Sequence, residues 1–465
     1  MRLKNNALFR AFGFFLAALI GLSAPAARAD TLLDTVLTPT IPVGANPDGI
    51  AITPNGKFAY VANYQANTVS VIDTQTNTVV DTIVDPSIRT PVRVVITPDG
   101  HEAYVTNQLD GTISVIDTTT NAVVNVIPQT NPGNDWDIAF TPDGQFAYVV
   151  DLNAGTVHVI DLATNAVVGS PIPVGTSPRE IVITPDGDYA YVTNSNSNTV
   201  SVIDTATNTV VSTIAVGNTP RGEAITPDGQ FVYVTNNVDG TVSVISTALA
   251  LTDPADAVVG TVTVGRAPRD VAISRPGGQY AYVTSTTDGT VSVIDTATNQ
   301  VVETLTVARG ANFLYNIVFT PDGQFAYIVN ANANVVSVIT SANLSSLPAQ
   351  GHVGAAYSGT VTVSDAAAGA STFSVTAGSL PPGLSLDPAT GKITGTPTAT
   401  GTYAFTVSAD SAVRGLTQTG VTRDYTIVID AALPAAPIPT LGDVALVALA
   451  LLLGMSAVAV HRRGL

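Results

Sequence analysis

Residues Ile183 to Gly217 read ITPDGDYAYVTNSNSNTVSVIDTATNTVVSTIAVG, and near copies of this wording recur seven times between Asp30 and Ala342. The first turn of each copy is marked by Pro54, Pro98, Pro142, Pro185, Pro227, Pro276 or Pro321, so the period runs from 42 to 49 residues. Self-similarity at roughly 40–50 residues signals an array of supersecondary units. Each unit holds four short β-branched and aromatic runs. In the quoted copy and just ahead of it these are Glu180 to Thr184, Tyr189 to Thr193, Thr199 to Asp204 and Thr209 to Val216. Pro-Asp-Gly and Thr-Asn turns separate them, which is hairpin chemistry. The region shows no helical apolar period.

Four short antiparallel strands form a sheet that is apolar on both faces and must stack on copies of itself. The seventh copy stops after its third strand, Val335 to Ile339, while residues 34–44 (DTVLTPTIPVG) resemble the fourth strand Val210 to Gly217. The N-terminal strand can thus complete the last unit and close a ring, which removes the exposed ends of an open array. No polar capping repeats of the kind a linear solenoid needs are present. The expectation is all-β: a seven-bladed β-propeller over residues 30–343. Blade five is six residues longer between Ile245 and Thr261, which predicts a protruding loop.

Tyr191-Val192-Thr193-Asn194 and its near copies at Tyr60, Tyr104, Tyr148, Tyr233, Tyr282 and Tyr327 resemble the YVTN family of β-propeller repeats. That resemblance implies a bacterial or archaeal surface-layer or secreted protein. Some copies depart from it: Asp151 and Ser285 replace the Asn, and Ser246 replaces the Asp of VSVID.

Both ends carry export signals. Residues 1–29 place Arg2, Lys4 and Arg10 before an apolar run and end in a small-x-small cleavage site at Ala27 and Ala29, a secretory signal peptide. Residues 444–460 form a second apolar run long enough to span a bilayer, with His461, Arg462 and Arg463 behind it. Ile438, Pro439, Thr440 and Leu441, within residues 438–465, resemble the IPTL-type C-terminal sorting signal of Gram-negative bacteria. The resemblance implies an exosortase-like processing protease as a partner. The Trp that usually follows the motif is missing at Gly442 to Ala445, so anchoring is better supported than cleavage. Residues 348–430 alternate between Gly and Pro turns and predict a small β-sandwich. They resemble the Ig-like or cadherin-like domains of bacterial surface proteins. Some of those bind calcium, but here Asp387, Asp410 and Asp424 are scattered, so a spacer is the simpler reading and no cofactor is expected. Residues 431–437 are a Pro/Ala linker.

Composition narrows the chemistry. The net charge of −17 repels nucleic acid, which proteins bind through Lys and Arg. The absence of Cys removes thiolate chemistry, and the 4 His are scattered, which disfavours a His-based metal site or a Ser-His-Asp triad. Seven-bladed lactonases share the general shape, so a lactonase-like or hydrolytic enzyme is the alternative to a non-catalytic surface module.

The repeats disagree at one place. The first strands begin with Asp48-Gly49, Val92-Arg93, Trp136-Asp137, Arg179-Glu180, Arg221-Gly222, Arg269-Asp270 and Tyr315-Asn316. In a propeller these positions ring one mouth of the central channel. Four of the nine basic residues in the repeat region sit there, and Arg89 and Arg266 lie just upstream. Guanidinium forks suit carboxylates or phosphates, and aromatics suit sugar or ring faces. The site expectation is therefore an anionic ligand at the mouth, an acidic glycan or a peptide carboxylate. The competing reading is that each Arg pairs with a neighbouring acid.

Overall fold

Tyr60, Tyr104, Tyr148, Tyr191, Tyr233, Tyr282 and Tyr327 are the largest fully buried side chains, and each marks the second strand of one repeat. The computed structural model describes residues 35–128, 135–275, 277–308, 313–340, 344–363 and 371–432. The leader, most of the linker, the Ile438 to Leu441 motif and the 444–460 run lie outside those residues. Among the described residues no helix is long and apolar enough to cross a membrane. The chain divides into two compact units. The first takes described residues 35–340 with 411–419, and the second takes 344–363, 371–410 and 420–432.

In the first unit, six sheets of four antiparallel strands span 47–83 (blade one), 91–128, 135–173, 178–215, 220–263 and 268–306 (blade six). Blade seven joins the three strands of 314–340 to two short strands from the N-terminus, Thr35–Val36 and Ile41–Pro42. Thr35 and Val36 pair with Thr340 and Ile339, and Ile41 and Pro42 pair with Val336 and Val335. The stretch 34–44 is thus two short strands rather than one. Innermost strands of successive blades pack side by side, and that of blade seven packs on that of blade one, so the ring is closed.

Burial grades outward along each blade. The second strand Tyr189–Asn194 is buried on both faces, whereas the fourth, Thr209–Ala215, alternates between exposed and covered. This is why the inner runs read as continuous apolar sequence and the outer ones do not. Blades are also tied by hydrogen bonds. The phenol of Tyr148 donates to Asn208 Oδ1 of the next blade at 2.6 Å, Tyr60 to Asn121 at 2.7 Å and Tyr233 to Asn299 at 2.7 Å. Those asparagines hold φ between 54° and 56°, a left-handed turn that Asn tolerates better than most residues.

Blade five breaks the pattern. Its extra residues form not a protruding loop but a short helix, Thr247–Thr252, N-capped by Ser246 Oγ, which accepts from Leu249 N at 3.4 Å. Ala250 and Ala257 are fully buried in the same cluster as Tyr191. Serine in place of the usual Asp thus serves as a helix cap. The helix stands where other blades offer the turn asparagine, and the Tyr191 hydroxyl is left buried without a partner.

The second unit has a four-stranded sheet, ordered Gln350–His352, Leu416–Asp430, Gly401–Val413, Ser371–Gly378, and a three-stranded sheet, ordered Tyr357–Thr360, Lys392–Gly395, Leu384–Leu386. Val361, Ile393, Val407 and Ile427 are fully buried, and the Phe405 and Tyr425 rings stack at 5.6 Å. Three of its carboxylates serve as local acceptors: Asp387 for Ala389 N, Asp410 for Gly420 N and Asp424 for Thr406 Oγ1.

Candidate functional site

The divergent dipeptides lie at a backbone irregularity repeated in every blade. In blade four, Pro178 pairs with Asn194 and Ile181 with Val192, so Arg179 and Glu180 together face Thr193. The same register shift falls between Pro47 and Ile50, Pro91 and Val94, Asp135 and Ile138, Pro220 and Glu223, Pro268 and Val271, and Leu314 and Ile317. A β-bulge frees two side chains from strict alternation and re-aims them. In five blades the residue before the strand has positive φ: Asn46, Thr90, Ser177, Thr219 and Ala267. The N–H of three of them is held by an asparagine of the preceding blade, as when Thr219 N donates to Asn198 Oδ1 at 2.9 Å.

The second bulge residue connects neighbouring blades. Asp137 Oδ2 accepts from Ile181 N at 3.0 Å, Asp270 Oδ2 from Ile317 N at 2.9 Å and Asn316 Oδ1 from Ile50 N at 2.9 Å. Gly49 and Gly222 occupy this position where the next blade comes closer. A Cβ on Gly222 would stand 2.5 Å from Asp270 Cα, and one on Gly49 would stand 2.6 Å from the Val92 carbonyl oxygen. Arg93 reaches furthest: its Nε is 2.8 Å from Asp137 Oδ1 and its Nη2 is 2.8 Å from Glu180 Oε2. Burial works against its charge, but Asp137, Glu180 and Asp270 more than offset it, so Arg93 is held firmly cationic.

The first bulge residues line the opening. Arg179 lies over the Trp136 ring at 4.4 Å from its centroid, and Arg269 over the Tyr315 ring at 4.1 Å. Arg269 Nη2 is 3.3 Å from Asp48 Oδ1. Arg179 and Arg221 differ: among the described residues neither has an acid within ion-pair distance, and the buried Nε of each has no partner. Burial and then Arg269 lower the pKa of Arg179. Burial, Arg269 and Arg179 lower that of Arg221 to about 10, which still leaves it charged at neutral pH. Arg89 and Arg266 take no part, since they pair with Asp110 at 3.1 Å and Asp288 at 2.8 Å on the exposed surface.

The cleft among Asp48, Arg93, Trp136, Glu180, Arg269 and Tyr315 has room for about one water molecule. Among the described residues no group of three His, Asp or Glu side chains is placed to hold a metal ion.

One residue of the site lay outside the sequence-derived set. Glu223 follows the bulge where other blades carry Ile50, Val94, Ile138, Ile181, Val271 and Ile317. It is 4% exposed, and neither carboxyl oxygen closes a hydrogen bond. Burial, with Glu180 and Asp137 near it, pushes its pKa well above the usual carboxylate range, and the Thr193 and Val182 backbone groups offset this only in part. Burial likewise raises Glu180, with Arg93 opposing. The signal was present in the repeats, one position beyond the divergent pair.

Residues 136–244 match the family described as "Lactonase, 7-bladed beta-propeller", and residues 336–430 match the family described as "Putative Ig domain". No curated protein matches the chain. Among solved structures the chain is similar to the Kuenenia stuttgartiensis hydrazine synthase at 22% identity, with a TM-score of 0.55, over 67% of this chain and 98% of that one. That likeness shows the fold alone.

Proposed function

We propose that the chain is an exported, envelope-held binding module without catalysis of its own, in which the propeller mouth takes an anionic ligand such as an acidic glycan or peptide carboxylate. One observation carries this reading: Arg179 and Arg221 stand together without a carboxylate partner in a chain of net charge −17, although acids are plentiful around them. Buried donors left unpaired are costly, and a ligand oxygen that accepts from them recovers that cost. Export through residues 1–29, membrane attachment through 444–460 and handling by an exosortase-like protease belong to the same proposal. So does a surface protein as the ligand's source.

The enzyme reading, a lactonase-like hydrolase, is favoured by the family match over residues 136–244. Against it, the acids that line the cleft are engaged: Glu180 with Arg93, Asp48 with Arg269 and Asp270 with a backbone N–H. The test is a glycan and peptide screen on the full chain, repeated with Arg179→Ala, Arg221→Ala and Arg269→Ala combined, beside assays on lactones and esters. Binding that the triple variant loses supports the module. Unchanged binding removes the mouth as the site, and turnover of a lactone replaces the module with the enzyme.

A further inference from the structure

We infer that the hairpin tip 411–419 is a clasp on the seam where the ring closes, limiting the local opening of blade seven from blade one. These residues belong to the propeller unit, although the strands that contain them, Gly401–Val413 and Leu416–Asp430, run on into the second unit. The seam is the thinnest of the ring. The outer strand of each of blades one to six is a single run of six to eight residues. Blade seven has two runs of two residues, taken from the other end of the chain. Between those runs the tip pairs with the edge. Thr38 N donates to the Thr417 carbonyl at 3.0 Å, and the Thr417 N–H donates back to the Thr38 carbonyl.

The tip also grips both blades. Leu416 is buried in the cluster that holds Leu37, Ile50, Phe325 and Val336. On blade seven, Arg414 lies over the Phe325 ring at 3.9 Å from its centroid, and its Nη2 is 3.6 Å from Asp322 Oδ2. Phe325 is fully buried, whereas the residue that opens the second strand of every other blade is only partly covered. On blade one, Asn77 Nδ2 donates to the Arg414 carbonyl at 3.0 Å. A Cβ on Gly415 would stand 2.6 Å from the Thr76 carbonyl oxygen, so the turn fits directly against that blade. Arg414 itself holds a φ of 47°, in a turn position where Asn or Gly is the usual choice. The strained residue is thus the one whose side chain covers Phe325. Further in, the same two blades meet where Asn316 Oδ1 accepts from Ile50 N, beside Tyr315 and Asp48 of the mouth.

Backbone hydrogen exchange reads such a seam directly, because local opening exposes particular amides. In the full chain, Arg414→Ala with Leu416→Ala should speed exchange at 35–43 and 335–340 by at least about tenfold, while the strands of blades two to five keep their rates. The chain has no cysteine, so Thr38→Cys with Thr417→Cys allows a single disulfide. A hydrogen-bonded antiparallel pair sets its Cα atoms about 5.5 Å apart, within disulfide reach. Oxidised, this variant should slow exchange in the same two segments by at least about tenfold and cancel the effect of the alanine changes. Unchanged exchange at the seam of the alanine variant, or an equal rise in every blade, overturns the inference. So does a disulfide that fails to form, or one that forms without slowing the seam.

Discussion

Replacing Glu223 by Val, the residue type of its counterparts in other blades, should stabilise the protein, and more so as pH rises. Folding raises this carboxyl's pKa through burial, so the unfolded chain gives up the proton first. The side chain is best tolerated below the unfolded Glu value of about 4.3, and stability is lost as pH climbs from there toward the folded pKa. While the carboxyl stays protonated only in the fold, the loss is about 1.4 kcal/mol per pH unit. Each pH unit in that range is worth roughly 3 °C in melting temperature for a unit of this size. The unpaired burial adds about 1–3 kcal/mol that is insensitive to pH.

The assay is thermal unfolding of the full chain and of Glu223→Val at pH 5 and pH 7. The stabilisation should be larger at pH 7 than at pH 5. Glu223→Gln, which keeps the volume and removes the titration, should reproduce the pH dependence with a smaller constant gain. Destabilisation by Glu223→Val at both pH values would refute the reasoning, because it would mean that Glu223 is ionised and neutralises Arg179 and Arg221. An equal gain at both values would show that the carboxyl does not hold its proton through this range.

Three further outcomes follow from the blade contacts. Tyr148→Phe removes the hydrogen bond to Asn208 and should cost about 1 kcal/mol, whereas Tyr191→Phe, whose hydroxyl has no partner, should be neutral or stabilising; chemical denaturation midpoints compare the two. Arg93→Met leaves Asp137 and Glu180 facing each other without a cation and should destabilise by about 3–5 kcal/mol, with a smaller effect in acid, read as unfolding at pH 8 against pH 4.5. Gly222→Ala drives a Cβ into the Arg269–Asp270 backbone and should cost about 1–3 kcal/mol, measured by the same unfolding.

The ring was legible because it is written seven times over. Period, strand count, turn chemistry and the unfinished seventh copy all follow from local residue choice, where propensity and packing agree. The helix Thr247–Thr252 was not, because six residues are too few to show a helical period. Its cap was visible as Ser246, but a lone Ser for Asp reads equally well as a loop. The site was legible as a position and not as a set of contacts. That Arg93 joins Asp137 and Glu180 while Arg179 and Arg221 remain unpaired depends on which blades meet across the channel, and nothing in one repeat encodes that.

The bulge explains why divergence concentrates where it does. Elsewhere in a blade each side chain packs against a sheet or closes a turn, so repeats that must stack alike keep alike residues. The bulge exempts two positions per blade. The second is reclaimed by architecture: Asp137, Asp270 and Asn316 bind the next blade's N–H groups, Gly49 and Gly222 permit close approach, and Arg93 bridges two carboxylates. The first is bound by no such duty, and there the chain places Asp48, Trp136, Arg179, Arg221, Arg269 and Tyr315. The competing reading, that every arginine simply has an acid neighbour, holds for Arg93 and Arg269 and fails for Arg179 and Arg221. Two half-buried cations held beside a third, with burial first and then repulsion lowering the pKa of both, are a strained arrangement for a scaffold. An incoming anion relieves that strain, so ligand affinity and the thermal stability gained on binding should fall together when either arginine is removed.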